Sequence, residues 1–284
     1  MEKTFQTGSF SFRLKFSEEL VLPVDMEKFL VETDSVDYTY IITDVDILPE
    51  AEGELIVDRV DLQVFHTKEG LESRRIGVKG EARPYAFYRE IAQNRAEVFV
   101  GRWYLAEIEK YEVVFLSLLA LERRLAEQPC LILHCAYTEY QGKAMLFSAT
   151  SGTGKTTQAG LWEQYQGSCT VNGDKALLEY DGTAWTANGW PVCGTSGVCE
   201  NKKLPVGCIV MLSQAKTIRR GGRGIYESVR TDHHEPLGQG GTGTQSRPSR
   251  TACWKSSGVS SGVRHFRRCG ENAGAGDRDR FVRK

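Results

Sequence analysis

Hydrophobic and polar residues alternate along Phe10-Ser11-Phe12-Arg13-Leu14-Lys15-Phe16 with a period of two, the pattern of a strand that buries one face. The runs Tyr38-Thr39-Tyr40-Ile41-Ile42, Glu54-Leu55-Ile56-Val57, Val60-Asp61-Leu62-Gln63-Val64-Phe65 and Ala96-Glu97-Val98-Phe99-Val100 fit the same template, and Pro, Asp and Gly separate many of them. Residues 1–106 are therefore expected to form a strand-rich N-terminal region. Nothing in it concentrates chemistry. His66 is a single histidine on a strand, the setting of a satisfied or exposed side chain rather than of a ligand.

The period changes near residue 107. Tyr111, Val114, Phe115, Leu118, Leu121 and Leu125 mark one face of a helix predicted over 107–127, with Glu109, Glu112, Arg123 and Glu127 opposite and Pro129 as its stop. Glu122 falls inside the apolar face and Leu116 and Leu119 outside it, which predicts a helix packed on more than one side. Apolar runs at 131–137, 144–147 and 204–212 predict further strands. Tyr180-Asp181-Gly182-Thr183 predicts a hairpin turn in which Asp181 is structural. The mixture predicts an α/β core over residues 107–217.

Composition narrows the class. Of the 284 residues 40% are hydrophobic and 26% charged, ordinary proportions for a globular protein with a substantial core. No run approaches the length of a membrane span, and Met1 to Gly8 lacks the apolar stretch of a secretion signal, so a cytoplasmic protein with no membrane partner is expected. Eight cysteines without a CxxC pair read as reduced thiols. Cys193 and Cys199, without histidine partners, do not form a zinc pattern.

The net charge of −1 conceals a break. Residues 218–284 hold 14 Lys+Arg and 6 Asp+Glu, a net of +8, whereas residues 1–217 hold 22 and 31, a net of −9. Leucine falls from 22 in the first 217 residues to Leu237 alone in the tail, which also carries 12 of the 29 glycines. So few large aliphatics do not offset the entropy of ordering a backbone, and the tail is expected to be disordered or out of frame with the domain it follows. A basic arm for nucleic acid is the sharper alternative. The scattered arginines, without helical or aromatic-interleaved order, argue against it.

Chemistry concentrates after residue 144. The apolar strand at 144–147 runs into Ser151-Gly152-Thr153-Gly154-Lys155-Thr156-Thr157, and a helix-compatible segment follows. A polyphosphate needs many donors and positive charge in a small concavity. Glycines turn backbone N–H groups inward, a helix N-terminus adds partial positive charge, and a lysine reaches the terminal phosphates. Ser151, Gly152, Thr153, Gly154, Lys155, Thr156 and Thr157 are thus the candidate cradle, with the Thr156 hydroxyl placed for Mg²⁺. Ala149 stands where the general pattern has its first glycine, which predicts a slightly different loop entry.

Two flanking residues join this motif. His134 lies in the apolar strand upstream, and Gln141-Gly142-Lys143 predicts a hairpin that returns that strand alongside the loop. Downstream, Cys169-Thr170-Val171-Asn172-Gly173-Asp174 ends a short strand on a carboxylate, the best candidate in this stretch for holding a metal or accepting a proton.

Leu133-His134-Cys135, the run from Ser148 to Thr157, Asn172-Gly173-Asp174 and Gly189-Trp190-Pro191-Val192-Cys193-Gly194 together resemble the HPr kinase / phosphoenolpyruvate carboxykinase superfamily, closest to its small HPr-kinase-like bacterial proteins. The resemblance covers 107–217 well, the N-terminal strands loosely and the tail not at all. It implies a P-loop-containing mixed sheet with ATP and Mg²⁺ as cofactors. Lys155 would lie on the β- and γ-phosphates, Thr156 and Asp174 on the metal, and His134 beside the transferring phosphate. Asp174 would also accept the acceptor's proton, and His134, Lys155 and Asp174 form the implied catalytic set. The implied activity is transfer of the γ-phosphoryl group to a hydroxyl acceptor, such as a serine of a protein or peptide, or a small molecule. A catalytically weak ATP-binding regulatory protein is the alternative, because family members often carry two adjacent acids where this chain has Asp174-Lys175. Homo-oligomerisation is left open.

Overall fold

The computed structural model describes residues 1–81 and 83–213, so the tail at 218–284 lies outside the described residues. Two mixed sheets carry most of the described chain, and helices are few. No helix among these residues is long and apolar enough to cross a membrane.

The first sheet is built from β1 (Glu2–Thr7), β2 (Phe10–Lys15), β3 (Tyr38–Val45), β4 (Glu54–Asp58), β5 (Leu62–His66), β6 (Glu72–Ile76), β7 (Ala86–Ala92) and β8 (Arg95–Gly101). Their order across the sheet is β1-β2-β3-β8-β7-β6-β5-β4. The joins β2–β3 and β3–β8 are parallel and the others antiparallel. In β2 the alternation acts as expected: Phe10, Phe12 and Leu14 are buried, and Phe12 stacks on Phe5 of β1 at 5.5 Å.

The second sheet contains β9 (Cys130–Tyr140), β10 (Lys143–Ser148), β11 (Cys169–Asn172), β12 (Lys175–Tyr180), β13 (Trp185–Asn188) and β14 (Lys203–Met211). β9 pairs antiparallel with β10 and with β12, β12 with β13, β13 with β14, and β14 returns to β10 in parallel. The pairings thus close a ring. Leu133, Cys135, Tyr137, Leu146, Leu178 and Val206 belong to one buried cluster of this ring. The hairpin forecast at Gln141-Gly142 is present, with both residues at positive φ (51° and 71°), as a two-residue return between twisted strands requires.

The single helix expected over 107–127 is instead three short ones: α1 (Leu105–Lys110), α2 (Glu112–Ser117) and α3 (Leu121–Leu125). Tyr111 is extended between the first two, and Ala120 is left-handed (φ 46°) before the third. The breaks have a packing cause. Phe115, Leu116, Leu118, Leu119, Ala120, Leu121 and Leu125 are all buried, more than one face of a straight helix presents. The second break also turns Glu122, Arg123 and Arg124 towards the first sheet. There Arg124 pairs with Glu90, Arg123 Nε lies 2.7 Å from Glu90 Oε1, and Arg74 bridges Glu72 and Glu122. Burial raises the pKa of Glu90, but Arg123, the Glu72 N–H and Arg124 prevail and hold its carboxyl below the ordinary value. The core is continuous between the sheets: Phe5, Phe12 and Tyr40 share one cluster with Leu177, Trp190, Val192 and Cys199.

Candidate phosphate site

Strand parity decides which side chains meet. In β9, Leu133, Cys135 and Tyr137 face into the ring, so His134 and Ala136 project from the other face. That face is covered by α4 (Lys155–Gln166), where Ala159 packs with Ala136, Met145, Phe147 and Cys208. Trp162 of α4 lies 5.3 Å from the Tyr140 ring and 6.0 Å from Phe147. This packing fixes the helix over the end of β10, and the loop 149–154 connects them.

The loop has the conformation its glycines permit. Gly152 (φ 78°) and Gly154 (φ 109°) are both in the region that disfavours side chains, and no other atom lies within 4 Å of where a Cβ would stand at either residue. The requirement there is backbone conformation, and the space beside both glycines is open. Ala149 is not among the residues of positive φ, so that position does not require the glycine of the general pattern. Gly154 caps α4 without a side-chain hydrogen bond, and the helix's hydrogen bonding begins with Gln158 N–H to Gly154 O, 2.9 Å. The amides of Lys155, Thr156 and Thr157 therefore have no partner within the helix. Lys155 is buried, and its Nζ donates to Ala149 O (3.1 Å) and Thr150 O (3.4 Å). Thr150 and Thr153 hydroxyls bond each other at 2.8 Å, and Ser151, Thr156 and Thr157 are exposed.

One rung of the second sheet brings the flanking candidates to this loop. Ser148, the last residue of β10, pairs with Cys135, whose N–H donates to Asp174 O (2.9 Å), and Lys175 pairs with His134. His134 Nε2 is 3.4 Å from Asp174 Oδ1, and Lys175 Nζ is 3.0 Å from Asp174 Oδ2. Burial, then the charge of Lys155, lowers the pKa of His134 and outweighs Asp174, so the imidazole is neutral at neutral pH. The structure thus brings His134, Asp174 and Lys155 together, and it adds Lys175. No hydrogen bond joins Thr156 to Asp174.

Sequence reasoning missed Asn172. It is fully buried, and its Nδ2 donates to Trp190 O (2.8 Å) and Val192 O (2.9 Å) while its Oδ1 accepts from Asp174 N–H (2.8 Å) and Lys175 N–H (2.9 Å). This one side chain ties the Asp174 turn to the Gly189–Gly197 loop. The local signal was the Asn-Gly-Asp sequence, which favours a side-chain-to-backbone turn two residues on. The loop then closes on the turn from the other side: Gly194 lies against the Asp174 side chain, and Ser196 against Gly173.

The exposed hydroxyl of Thr156 is a hard oxygen suited to Mg²⁺, and the Asp174 carboxylate is a second, although Lys175 engages one of its oxygens. Elsewhere, Asp25, Glu112 and Cys193 gather within 4.8 Å, but Lys28 lies 3.2 Å from Asp25 and already supplies a cation there. No family model and no curated protein matches the chain.

Proposed function

We propose that this chain binds Mg-ATP at residues 151–157 and transfers the γ-phosphoryl group to a hydroxyl acceptor, a serine of a protein or peptide or a small molecule. The observation that carries the reading is a juxtaposition. The uncapped N-terminus of α4, with Lys155 in its first turn, shares one sheet end with the His134–Asp174 pair, which is 3.4 Å apart. Phosphate oxygens would take the place of the Ala149 and Thr150 carbonyls on Lys155 Nζ, and the first-turn amides of α4 would bind the remaining negative charge. Thr156 and Asp174 would hold the magnesium ion, which when bound neutralises charge on the phosphates. In the transfer, the acceptor oxygen bonds to the γ-phosphorus as the bond to the β–γ bridging oxygen breaks. ADP leaves, and the acceptor's proton passes to the His134–Asp174 pair. The resemblance to HPr-kinase-like proteins supports the same assignment.

A second reading, nucleotide binding without turnover, is favoured by Lys175, which lies 3.0 Å from Asp174 and competes there with a metal. Incubation of the full chain with γ-labelled ATP, Mg²⁺ and host lysate separates the two, with Lys155→Ala as control. Label transferred by the parent and not by Lys155→Ala supports the kinase. Calorimetric ATP binding without transfer supports the second reading, and an absence of Mg-nucleotide affinity in the folded protein refutes both.

A further inference from the structure

Strand edges expose unpaired N–H and C=O groups, and folded proteins generally cover or charge them. Here most are covered. Phe5 of β1 bridges Leu30, and the Val31 N–H donates to Thr4 O at 3.0 Å; Asn172 of β11 bridges Cys199, and the Glu200 N–H donates to Val171 O at 2.9 Å. The ring of the second sheet closes its remaining strands. β4 is different. It ends the first sheet, pairs on one side with β5 with a register shift at Ile56, and makes no backbone hydrogen bond on its outer side among the described residues.

This edge is apolar in the middle and acidic around it. Leu55 and Ile56 are 44% and 47% exposed, and Ile47 and Val60 flank the strand at 82% and 76%. Residues 44–61 carry seven acids, Asp44, Asp46, Glu50, Glu52, Glu54, Asp58 and Asp61, against Arg59 alone. Arg102 neutralises Asp44 and Asp46, and Arg59 neutralises Asp61. Glu50, Glu52, Glu54 and Asp58 have no basic partner among the described residues. Beside the end of the strand an open groove of about 460 Å³ is lined by Asp58, Val60, Leu62, Arg75, Glu81 and Pro84, among others.

We propose that the outer edge of β4 is a docking site for an extended basic peptide of a partner protein, which adds to the first sheet as a ninth strand. Backbone pairing along Glu54–Asp58 supplies the affinity. Apolar side chains of the peptide cover Leu55 and Ile56, and its lysines or arginines meet Glu50, Glu52, Glu54 and Asp58. The same acids reject a second copy of this chain, because two β4 edges brought together set like charges side by side. They reject nucleic acid for the same reason of sign.

The test is fluorescence anisotropy on the full chain with a labelled peptide, Lys-Val-Arg-Ile-Lys-Val-Arg-Val-Lys, and a version of equal charge in which prolines replace two of the valines. The proposal expects the strand-forming peptide to bind about ten-fold more tightly than the proline peptide, and to weaken with salt. The double variant Glu54→Lys/Asp58→Lys should lose about ten-fold in affinity with an unchanged thermal midpoint, since both side chains are exposed. Equal binding of the two peptides means charge attraction alone and overturns the proposal. So does binding that survives the double variant, or no binding at all.

Discussion

Replacing Asn172 with alanine tests whether the Asp174 turn is held by one side chain. The substitution removes four hydrogen bonds of 2.8–2.9 Å from a fully buried site and leaves the Val192 carbonyl and two amides to find new partners, while Trp190 O keeps the Val192 N–H at 2.8 Å. At about 0.5–1.5 kcal/mol per bond, the loss is about 2–6 kcal/mol. The amides of Asp174 and Lys175 sit beside half-exposed side chains and recover some hydration, and Trp190 O keeps its other donors, while the buried Val192 carbonyl is left bare, so we expect about 2–3 kcal/mol. Urea unfolding measures it, read as a lower midpoint at unchanged slope. Asn172→Asp sharpens the test. It keeps the acceptor oxygen but turns the other oxygen towards two carbonyls. The new carboxyl is then harder to ionise folded than unfolded, so the variant is most stable in acid and loses stability as pH rises above the unfolded carboxyl range. A loss below about 1 kcal/mol for Asn172→Ala, or a stability difference between Asn172→Asp and the parent that does not vary with pH, would refute the reasoning.

Gly154→Ala forces a side chain to φ 109° and should cost about 1–3 kcal/mol and weaken ATP binding in calorimetry, whereas Gly160→Ala, in the middle of α4 with open space around it, should add about 0.5–1 kcal/mol. Glu90→Ala strips the nearest partner from Arg124 and Arg123, leaving Arg123 with Glu72 at 3.3 Å and Arg124 with Glu127 at 3.8 Å, and a loss of about 2–4 kcal/mol is expected in the same unfolding assay. With the Glu90 carboxyl held below its ordinary 4.5, the stability it contributes is present above that value and is lost as the pH falls below it. The His134 ring should titrate in NMR below its ordinary 6.5, and Lys155→Met should move it upward, because the charge that disfavours the imidazolium is gone. Since the unfolded ring binds its proton more readily, His134 favours the folded state most above 6.5 and less as pH falls.

What could be read ahead of the structure was local. The strands β2, β3 and β8 follow from alternation, and the cradle from a strand, glycines and a lysine in immediate succession. β6 could not be read so. Glu72-Ser73-Arg74-Arg75-Ile76 looks like a solvated segment, yet Glu72, Ser73 and Arg74 are buried, because α3 brings Glu122 and Arg123 onto them from far along the chain. The helix expected over 107–127 likewise broke where its apolar residues pack on more than one side. At the candidate site Asp174 was legible as a carboxylate ending a strand, and Lys175 as a missing second acid. That Lys175 pairs with Asp174, and that Asn172 reaches Trp190 and Val192 eighteen and twenty residues on, depends on how the loop at 189–197 folds back.

On the proposed reading, this geometry also divides the labour between His134 and Asp174. A proton acceptor needs a lone pair that does not already face a cation, and one oxygen of Asp174 faces Lys175 while the other faces His134. The neutral imidazole has such a lone pair. The Asp174 carboxylate, 3.4 Å from Nε2, favours the tautomer with its hydrogen on Nε2 and its lone pair on Nδ1. His134 is then the base, and Asp174 orients the ring and balances the imidazolium that forms. Besides burial, the proximity of Lys155 is what keeps His134 reluctant to protonate. A triphosphate on Lys155 would offset that charge and favour protonation of His134, and a magnesium ion on Asp174 would act in the opposite sense.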